Sequence, residues 1–476
     1  MAEDRKTKIV ATLGPACRDV GTLERMIAAG MDVARINASH TSPEAMGEEI
    51  RALREASRLL GREVSVILDL MGPKIRIGEI AGGEVRLEDG QEFTLSREKV
   101  EGDASRVSVN YPDLHTVLGP GATVLIDDGA LRLEVLQVAD GEVRCRVMSG
   151  GVLFSRKGIN LPGVRLDIPP LTGKDLTDLE LGLELGVDWV ALSFVRSPGD
   201  IAILRGELRQ RGSDLPIVAK IEKQEAVEAL EEVAGEADGL MIARGDLGVE
   251  MALEDIPLIQ KRIIEVAARL GKPVITATQM LQSMINNPSP TRAEVSDVAN
   301  AVFDATDAVM LSGETAVGSF PLQAVDTMRR VILKAETTLP YDRWLDERVH
   351  RIGSGMVEAV CFAACELARQ TGATAIVAPT ESGFTARQMS RFRPRQPILA
   401  PTPDEGAARR LTLFWGVYPR LVKVRGNIEE MFAIAEDVAR QEGYLGSGDT
   451  VVVTAGVKDP GEGGIPTTNT IHCVNG

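Results

Sequence analysis

The segment "PIVAKIE" contains a lysine and a glutamate two residues apart at the end of an apolar run. Because side chains alternate between the two faces of a β-strand, Lys220 and Glu222 point to one side and Ile221 points away. A second acid, Asp246, follows Gly245 in "ARGDLG", where the missing side chain lets a ligand approach the backbone. Two carboxylates without a histidine or cysteine cluster favour Mg²⁺ over zinc. The pattern predicts a magnesium site with a cation beside it.

Several other apolar runs also end in polar residues. The set has too many charged members for a passive rim of helix caps and surface ion pairs, so we interpret it as one site. Its members are Arg35, Asn37, Ser39, Asp69, Ser193, Lys220, Glu222, Arg244, Asp246, Thr276, Thr278, Ser312 and Glu314.

The elements that must position this set are eight short apolar runs, several of them separated by stretches with helical periodicity. Eight parallel strands with crossover helices predict an α/β fold, a (β/α)8 TIM barrel whose active site lies at the carboxyl ends of the strands. The runs are "KIVATLG", "MDVARIN", "SVILDL", "DWVALSF", "PIVAKIE", "GLMIAR", "PVITATQ" and "AVMLSG".

The third and fourth runs are separated by far more residues than one helix needs. Short alternating runs and turn residues in this insertion predict a small all-β domain. A lid would explain the insertion: we expect a small β-barrel, hinged near Met71 and Pro170, that closes over the mouth of the catalytic barrel. After a linker, "ATAIVAPT", "PILAPT", "RLVKVRG" and "DTVVVTAG" predict the strands of a C-terminal α/β domain. The expected boundaries are 1–70 and 170–338 for the catalytic barrel, 71–169 for the lid and 345–476 for the C-terminal domain.

The composition narrows the classes of partner and compartment. A net charge of -16 argues against nucleic acid and anionic membranes as partners. The N-terminus lacks the apolar core of a signal peptide and no run is long enough to span a membrane, so we expect a cytoplasmic protein. Five scattered cysteines indicate neither a disulfide framework nor a zinc site.

The segments "VDWVALSFVRSPGDI", "IVAKIEKQEAVEAL", "DGLMIARGDLGVEM" and "VITATQMLQSMINNPSPTRAEVSDVANAVFDATDAVMLSGETAVG" resemble the pyruvate kinase family. The resemblance extends from "TKIVATLGPA" to "TTNTI", essentially the whole chain. It implies transfer of a phosphoryl group from phosphoenolpyruvate to ADP, giving ATP and pyruvate, the final step of glycolysis. It also implies Mg²⁺, with Mn²⁺ as a substitute, and a homotetramer.

The resemblance assigns roles to individual residues. Lys220 would stabilise the transition state, and Glu222 and Asp246 would bind Mg²⁺. Substrate contacts would come from Arg35, Lys220, Asp246, Thr278 and the backbone around Gly245, which includes Ala243 and Arg244. The final proton would come from Thr278, Ser312 or a water. On the nucleotide side, the resemblance implies Asn37, His40, Arg76 and Lys157.

A monovalent-cation site, or its remnant, is implied at Asn37, Ser39, Asp69 and Leu70. Many members of the family need K⁺ and have threonine at the position of Leu70 and glutamate at the position of Lys74. Members with a lysine there resemble potassium-independent enzymes, and an ammonium carries one fixed positive charge. We therefore expect Lys74 to replace the ion; the alternative is that Lys74 only pairs with a surface acid.

The C-terminal domain contains a strand, a loop and a helix start in "IVAPTESGFTARQMSR", and a second loop in "GGIPTTN". Hydroxyl groups and backbone N–H groups at such a loop are typical of anion binding, although ordinary capping also explains it. The resemblance implies a phosphorylated allosteric effector here, with Thr380, Ser382, Gly383 and Thr385 in the loop. A sugar phosphate, a nucleotide and no ligand all remain open.

Two other functions compete with this hypothesis. A magnesium-dependent aldolase acting through an enolate needs a similar base and carboxylates, but it does not need a cationic lid. A catalytically silent effector sensor would keep the fold, but it would not need Lys220, Glu222, Asp246 and Thr278 together.

Overall fold

The computed structural model describes residues 5–349, 355–422, 428–457 and 468–476. Eight parallel strands close into a barrel in which each pairs with the next and the eighth pairs with the first. The predicted fold class is confirmed, and each of the eight runs forms a barrel strand. From first to eighth, the barrel strands are Lys8–Thr12, Val33–Asn37, Ser65–Leu70, Trp189–Leu192, Ile217–Ile221, Gly239–Ala243, Val274–Ala277 and Ala308–Leu311.

Helices form the outer layer of the barrel. Local sequence signals fix several of their ends: Thr172 and Asp175 form a capping box, and Gly61 ends the helix Pro43–Leu60 in a left-handed conformation (φ 59°). The helices are Val20–Ala29, Pro43–Leu60, Gly173–Glu184, Pro198–Gln210, Gln224–Glu228, Leu230–Glu236, Arg244–Glu250, Ile256–Leu270, Arg292–Phe303, Gly313–Ala316 and Pro321–Glu336, with 3₁₀ turns at Pro15–Cys17, Leu253–Asp255 and Gln282–Ile285.

A fourfold repeat of aspartates closes the amino-terminal end of the barrel. An aspartate directly precedes each even-numbered strand, and it accepts a hydrogen bond from a backbone N–H near the start of the strand before it. The pairs are Asp32 with Ile9, Asp188 with Val66, Asp238 with Ile217, and Asp307 with Val274, at 2.8, 2.8, 2.9 and 3.1 Å. In the same order, the carboxylates also pair with Arg5, Arg54, Arg205 and Arg393.

The chain between the third and fourth barrel strands forms an all-β domain with its own buried core, including Phe93 and Leu133. In the strand Leu131–Ala139 buried and more exposed residues alternate over much of its length, as expected when one face of a sheet is covered. A six-stranded sheet contains, in spatial order, Ile159–Asn160, Thr123–Ile126, Leu131–Ala139, Glu142–Ser149, Glu92–Ser96 and Arg106–Ser108. The domain also has a ribbon of Glu84–Leu87 with Gly151–Phe154 and a short helix, Leu114–Val117.

The C-terminal domain is a five-stranded sheet flanked by helices. Its strands, in spatial order, are Val417–Leu421, Ile398–Thr402, Ala375–Val377, Thr450–Val457 and Thr468–Asn475, of which only the last is antiparallel to its neighbour. Its helices are Met356–Thr371, Phe384–Ser390, Glu405–Leu411 and Ile428–Gln441, and Tyr341–Val349 precedes the domain.

One strand boundary in this domain was predicted wrongly. The segment "RLVKVRG" overlaps the observed strand Val417–Leu421 only at its first two residues, and residues 423–427 lie outside the described ranges. Val417 is fully buried whereas Leu421 is 47% exposed, so burial selects the earlier segment. Pro419 is tolerated because this is an edge strand.

The C-terminal domain covers the amino-terminal end of the barrel. Arg393 and Arg409 pair with Asp307 and Asp188 of the aspartate repeat, both at 2.7 Å. The ring of Phe414 lies 6.1 Å from that of Trp189, which is on the fourth barrel strand. The opposite, carboxyl-terminal end of the barrel faces the all-β domain.

Lys8 at the covered end predicts an unusual pH dependence of stability. Its Nζ donates to Val417 O at 2.6 Å, and burial lowers its pKa to about 8, from a value of 10.5, although Asp32 opposes the shift. Between these two values the unfolded chain binds more protons, so rising pH favours the folded state. We expect the free energy of unfolding of the wild type, relative to Lys8→Met, to increase by about 2 kcal/mol from about pH 7 to about pH 9.5.

Urea titrations of the two proteins at several pH values measure this difference. A difference that stays constant with pH would contradict the lowered pKa of Lys8.

Candidate active site

Lys220 and Glu222 meet at the carboxyl end of the fifth barrel strand. The alternation of the strand directs both side chains inward, where Lys220 is 9% and Glu222 is 1% exposed. The Lys220 Nζ lies 2.8 Å from Glu222 Oε1. The structure therefore brings the lysine and the first predicted metal ligand into direct contact.

Asp69 and Ser193 complete the surroundings of this ammonium. Lys220 Nζ donates to Ser193 Oγ at 2.7 Å and lies 3.3 Å from Asp69 Oδ1. Ser193 Oγ in turn donates to Leu70 O at 2.7 Å, so Leu70 takes part in this cluster through its backbone carbonyl. These contacts come from the ends of the third, fourth and fifth strands and fix the position of Lys220.

Arg35 approaches the same cluster from the second strand. Its Nε donates to Asp69 Oδ2 at 2.7 Å and its Nη1 donates to Thr12 Oγ1 at 3.1 Å. Asp69 therefore lies between two cations, Arg35 and Lys220, that are both largely buried. This arrangement holds two positive charges at the mouth of the barrel.

The buried charges shift each other's protonation. Burial alone would lower the pKa of Lys220, but Asp69 and Glu222 outweigh it and raise that pKa above its ordinary value. Burial would raise the pKa of Asp69, yet Lys220 and Arg35 lower it. Lys220 is therefore a permanent cation and cannot serve as a base near neutral pH.

The residues present fit a magnesium ion. Glu222 Oε1 is buried, and apart from the Lys220 ammonium at 2.8 Å no described group donates to it. Glu222 Oε2 accepts from the Phe194 N–H at 2.8 Å. Burial raises the pKa of Glu222, and Lys220 partly opposes this shift. The charge of Asp246 raises the pKa further, so the two carboxylates interact.

The described residues supply few side chains that could bind a metal ion at this site. Asp246 is in the first turn of the helix Arg244–Glu250, and its side chain is 27% exposed. Among the described residues, no group of three or more His, Cys, Asp or Glu side chains is arranged to hold a metal ion. Two carboxylates leave most of an octahedron to water and substrate oxygens, which is the usual arrangement for Mg²⁺.

Thr278 lies beside the start of that helix in a strained conformation. Its φ of 67° is unusual for a β-branched residue, and such strain costs about 1–3 kcal/mol. Its Oγ1 accepts from the Gly245 N–H at 2.8 Å and donates to Ala277 O at 2.6 Å. The hydroxyl is thus held next to the backbone that follows Ala243.

Arg244 points away from the Lys220 cluster. Its guanidinium donates to Thr278 O at 2.8 Å and to Asp297 Oδ1 at 2.7 Å. The side chain therefore supports the Thr278 loop, and Asp297 is a partner that the sequence interpretation missed.

Two strand-end residues from the predicted set make other contacts, and the hydroxyl of a third makes none among the described residues. Thr276 is fully buried and donates to Thr306 Oγ1 at 3.0 Å, which makes it part of the barrel core. Glu314 accepts from the N–H groups of Leu281 and Ser312 and supports their loops. The Ser312 hydroxyl is buried and has no hydrogen-bond partner among the described residues.

Lys74 lies between the all-β domain and the barrel. Its Nζ is 3.8 Å from Asp246 Oδ1 and 3.6 Å from Asp128 Oδ1, and its side chain is 21% exposed. It therefore faces the predicted metal ligand as well as a surface acid. The pairing with a surface acid, which was the alternative considered from the sequence, therefore occurs at Asp128, and the replacement of K⁺ by Lys74 stays a prediction.

Three more of the predicted nucleotide and cation-site residues lie at or just after the end of the second barrel strand. Asn37 accepts from the Ser39 N–H at 3.2 Å, next to the exposed His40. Burial, and after it the charges of Arg76, Arg35 and Lys74, lowers the pKa of His40.

Two of the cationic side chains predicted to bind the nucleotide, Lys157 and Arg76, contact other residues of the all-β domain in this structure. Lys157 Nζ pairs with Asp127 at 2.9 Å, and Arg76 donates to Arg156 O at 3.2 Å. Asp127 and Asp128 both have positive φ, 56° and 51°, in the turn before Gly129. Sequence reasoning missed this pair of acids, although "DDG" is a turn signal.

The predicted effector loop follows the strand Ala375–Val377. Thr380 Oγ1 accepts from the Gly383 N–H at 3.0 Å, and Gly383 has a φ of 83° that favours glycine. Thr380, Ser382 and Gly383 lie in the loop, whereas Thr385 lies in the first turn of the helix Phe384–Ser390 that follows it. In the second predicted loop, "GGIPTTN", 463–467 lie outside the described residues.

These features define a class: a (β/α)8-barrel enzyme with a lysine and two carboxylates at the barrel mouth, an inserted all-β domain and a C-terminal α/β domain. Family models of the pyruvate kinase barrel domain and the pyruvate kinase alpha/beta domain match residues 4–325 and 358–474. The chain belongs to the pyruvate kinase family and is an enzyme of that type, a family that generally needs Mg²⁺.

Similar proteins cover nearly the whole chain. The pyruvate kinase of Geobacillus stearothermophilus is 44% identical over 99% of this chain and 81% of its own length. That of Staphylococcus haemolyticus (strain JCSC1435) is 43% identical over 99% of this chain and 80% of its own length. A crystal structure of a pyruvate kinase from Cryptosporidium parvum has a TM-score of 0.94 at 37% identity, and the match covers 99% of this chain and 96% of that one.

One further feature concerns membranes. In the described ranges, no helix combines the length and the apolar character that crossing a bilayer requires.

Proposed function

We propose that this enzyme transfers the phosphoryl group of phosphoenolpyruvate to ADP, with Lys220 as the residue that stabilises the transition state. The observation that carries the proposal is the position of Lys220, buried and in contact with Glu222 and Asp69 at the barrel mouth. Phosphoryl transfer depends mainly on positioning and on positive charge. A permanently charged ammonium beside a magnesium site provides that charge.

The reaction breaks the bond between the phosphoryl group and the enol oxygen and forms a bond to a terminal oxygen of ADP. Lys220 and Arg35 stabilise the negative charge on the phosphoryl group and on the enolate left behind. Mg²⁺, held by Glu222 and Asp246, would add positive charge to the substrate oxygens. The enolate carbon then takes a proton, and the candidates for its delivery remain Thr278, Ser312 and a water.

The all-β domain serves as a lid in this proposal. Closure would bring Arg76 and Lys157 to the phosphates, where Asn37 and His40 complete the nucleotide side, and would exclude water that competes as an acceptor. The ion pair of Lys157 with Asp127 would be exchanged for phosphate contacts on closure.

A coupled assay tests the function against its competitors. The purified chain is given phosphoenolpyruvate, ADP and Mg²⁺, and ATP formation is followed; separately, retro-aldol cleavage of a hydroxy-keto acid is tested. ATP formation supports the proposal. Cleavage without ATP formation would favour an aldolase, and no turnover of either kind would favour a silent sensor.

Lys74 makes potassium unnecessary in this proposal. Its ammonium is 3.8 Å from Asp246 Oδ1, so it already supplies a positive charge beside the predicted metal ligand. We expect activity to change by less than about twofold when K⁺ is replaced by tetramethylammonium at constant ionic strength. Lys74→Glu removes the fixed charge, so its activity should rise when K⁺ is added.

The prediction that activity does not depend on K⁺ can be contradicted directly. A severalfold fall in wild-type activity without K⁺ would mean that Lys74 does not replace the ion. In that case Lys74 would serve only its contact with Asp128.

The proposal also covers how the enzyme is regulated, how it assembles and in which compartment it acts. The loop of Thr380, Ser382, Gly383 and Thr385 would bind a phosphorylated allosteric effector, and the enzyme would be a cytoplasmic homotetramer. The hydroxyl groups of Thr380 and Ser382, just before the helix Phe384–Ser390, support anion binding at this loop.

A further inference from the structure

Two chain connections join the lid to the barrel, and both make contacts near the predicted magnesium ligands. The return connection begins at Asn160, the last residue of the lid strand Ile159–Asn160. Asn160 is 3% exposed, and its Nδ2 donates to Glu250 Oε1 at 3.3 Å. The same carboxylate oxygen accepts from the Lys223 ammonium.

Both partners of Asn160 are close in the chain to a metal ligand. Lys223 directly follows Glu222, and Glu250 ends the short helix Arg244–Glu250, whose first turn contains Asp246. Glu250 is 6% exposed and the Lys223 side chain 13%, so the pair is shielded from water. One buried carboxylate thus links the base of the lid to both metal-binding segments.

The outgoing connection makes a similar contact at Gly72. A Cβ at this position would lie 3.2 Å from the Phe194 ring and 3.3 Å from Ser193 O, and the φ of 67° also favours glycine. The Phe194 N–H donates to Glu222 Oε2, while Ser193 holds Lys220. The outgoing connection therefore packs directly on the peptide that orients Glu222.

Arg196 holds the return connection against the same loop. Its guanidinium donates to Leu166 O at 2.7 Å and to Ile168 O at 2.8 Å, and Asp200 pairs with it at 3.0 Å. Movement of the lid about these connections must therefore act on the residues around Phe194 and Glu250.

We propose that Glu250 is a positioning residue that couples the position of the lid to the geometry of the magnesium ligands Glu222 and Asp246. This rests on the proposed function of the site. The coupling passes from Asn160 to Glu250 and from there to the two segments that contain the ligands. Groups that orient metal ligands typically change metal affinity about 10–100-fold when they are removed.

Mn²⁺ binding to the full-length protein tests the proposal without relying on turnover. Free Mn²⁺ is measured by electron paramagnetic resonance for the wild type, Glu250→Gln and Glu250→Asp. We expect Glu250→Gln to weaken Mn²⁺ binding about tenfold and Glu250→Asp to restore part of it, because Asp keeps the charge. Glu336→Gln is the matched control, since Glu336 is also 6% exposed and lies at the opposite end of the barrel.

A second variant covers the case in which Glu250→Gln does not fold. Asn160→Ala keeps the pair of Lys223 with Glu250 and removes only the contact with the lid. We expect it to raise the KM for ADP severalfold with a smaller effect on kcat, and to add little to Glu250→Gln in the double variant.

The results distinguish failure of the coupling through Glu250 from failure of the proposed function. Unchanged Mn²⁺ affinity in Glu250→Gln, with a loss of thermal stability like that of Glu336→Gln, would show a merely structural role and overturn the coupling. Unchanged KM for ADP in Asn160→Ala would overturn it as well. Failure of the wild type to form ATP from phosphoenolpyruvate and ADP would instead reject the proposed function.

Discussion

Lys220→Met is expected to lower kcat for ATP formation by about a thousandfold, the range seen when a charged group that stabilises a transition state is removed. Methionine keeps the length and most of the volume of the lysine, so the loss reports the charge. The KM for phosphoenolpyruvate should change much less, because Arg35 remains beside Asp69 at 2.7 Å. Steady-state kinetics at saturating Mg²⁺ measure both constants.

The barrel provides a matched control for this substitution. Lys8 is also a buried lysine on a barrel strand, 2% exposed, but it lies at the opposite end and donates to Val417 O. We expect Lys8→Met to keep kcat near that of the wild type. If Lys220→Met turned over at the wild-type rate, the assignment of the transition-state role would be wrong.

Glu222→Gln is expected to lower kcat by about a hundredfold or more and to raise the Mg²⁺ concentration needed for half-maximal activity. The amide removes one of the two carboxylates that we propose as metal ligands. It also leaves a neutral group beside Lys220, 2.8 Å from its Nζ in the wild type. A titration of activity with Mg²⁺, together with direct Mn²⁺ binding, measures the effect.

Glu49→Gln is the control for the chemistry of a buried glutamate. Glu49 is 1% exposed like Glu222, has a pKa raised by burial, and contains an oxygen without a hydrogen-bond partner among the described residues. It pairs with Arg18 at 3.3 Å, away from the Lys220 cluster. Equal effects of the two substitutions on the Mg²⁺ requirement would contradict the assignment of Glu222 as a metal ligand.

The barrel could be predicted because its strands are short apolar runs whose polar ends coincide with the site. Lys220 and Glu222 were placed correctly side by side, since the period of a strand is two residues. The sequence also contained a signal that was not used: an aspartate precedes every even-numbered strand. Its meaning depends on backbone N–H groups of a neighbouring strand, which a local reading of the sequence does not show.

Other features depended on long-range packing. Asn160 and Glu250 are 90 residues apart in the chain, and no local pattern links them. The guanidinium of Arg244 is held by Asp297, 53 residues further along the chain, and no local pattern indicates this partner. The strand at Val417 was displaced from the expected segment because contact with the neighbouring strand, rather than local propensity, decides which residues are buried.

The central claim is that the chain moves a phosphoryl group from phosphoenolpyruvate to ADP in a magnesium-dependent step. Phosphorus nuclear magnetic resonance of the purified wild type with both substrates and Mg²⁺ tests it most directly. The account predicts that the phosphoenolpyruvate signal is lost as the γ-phosphate signal of ATP appears in equal amount, and that removal of Mg²⁺ by a chelator stops both changes. Appearance of inorganic phosphate in place of ATP, or an unchanged phosphoenolpyruvate signal, would contradict it.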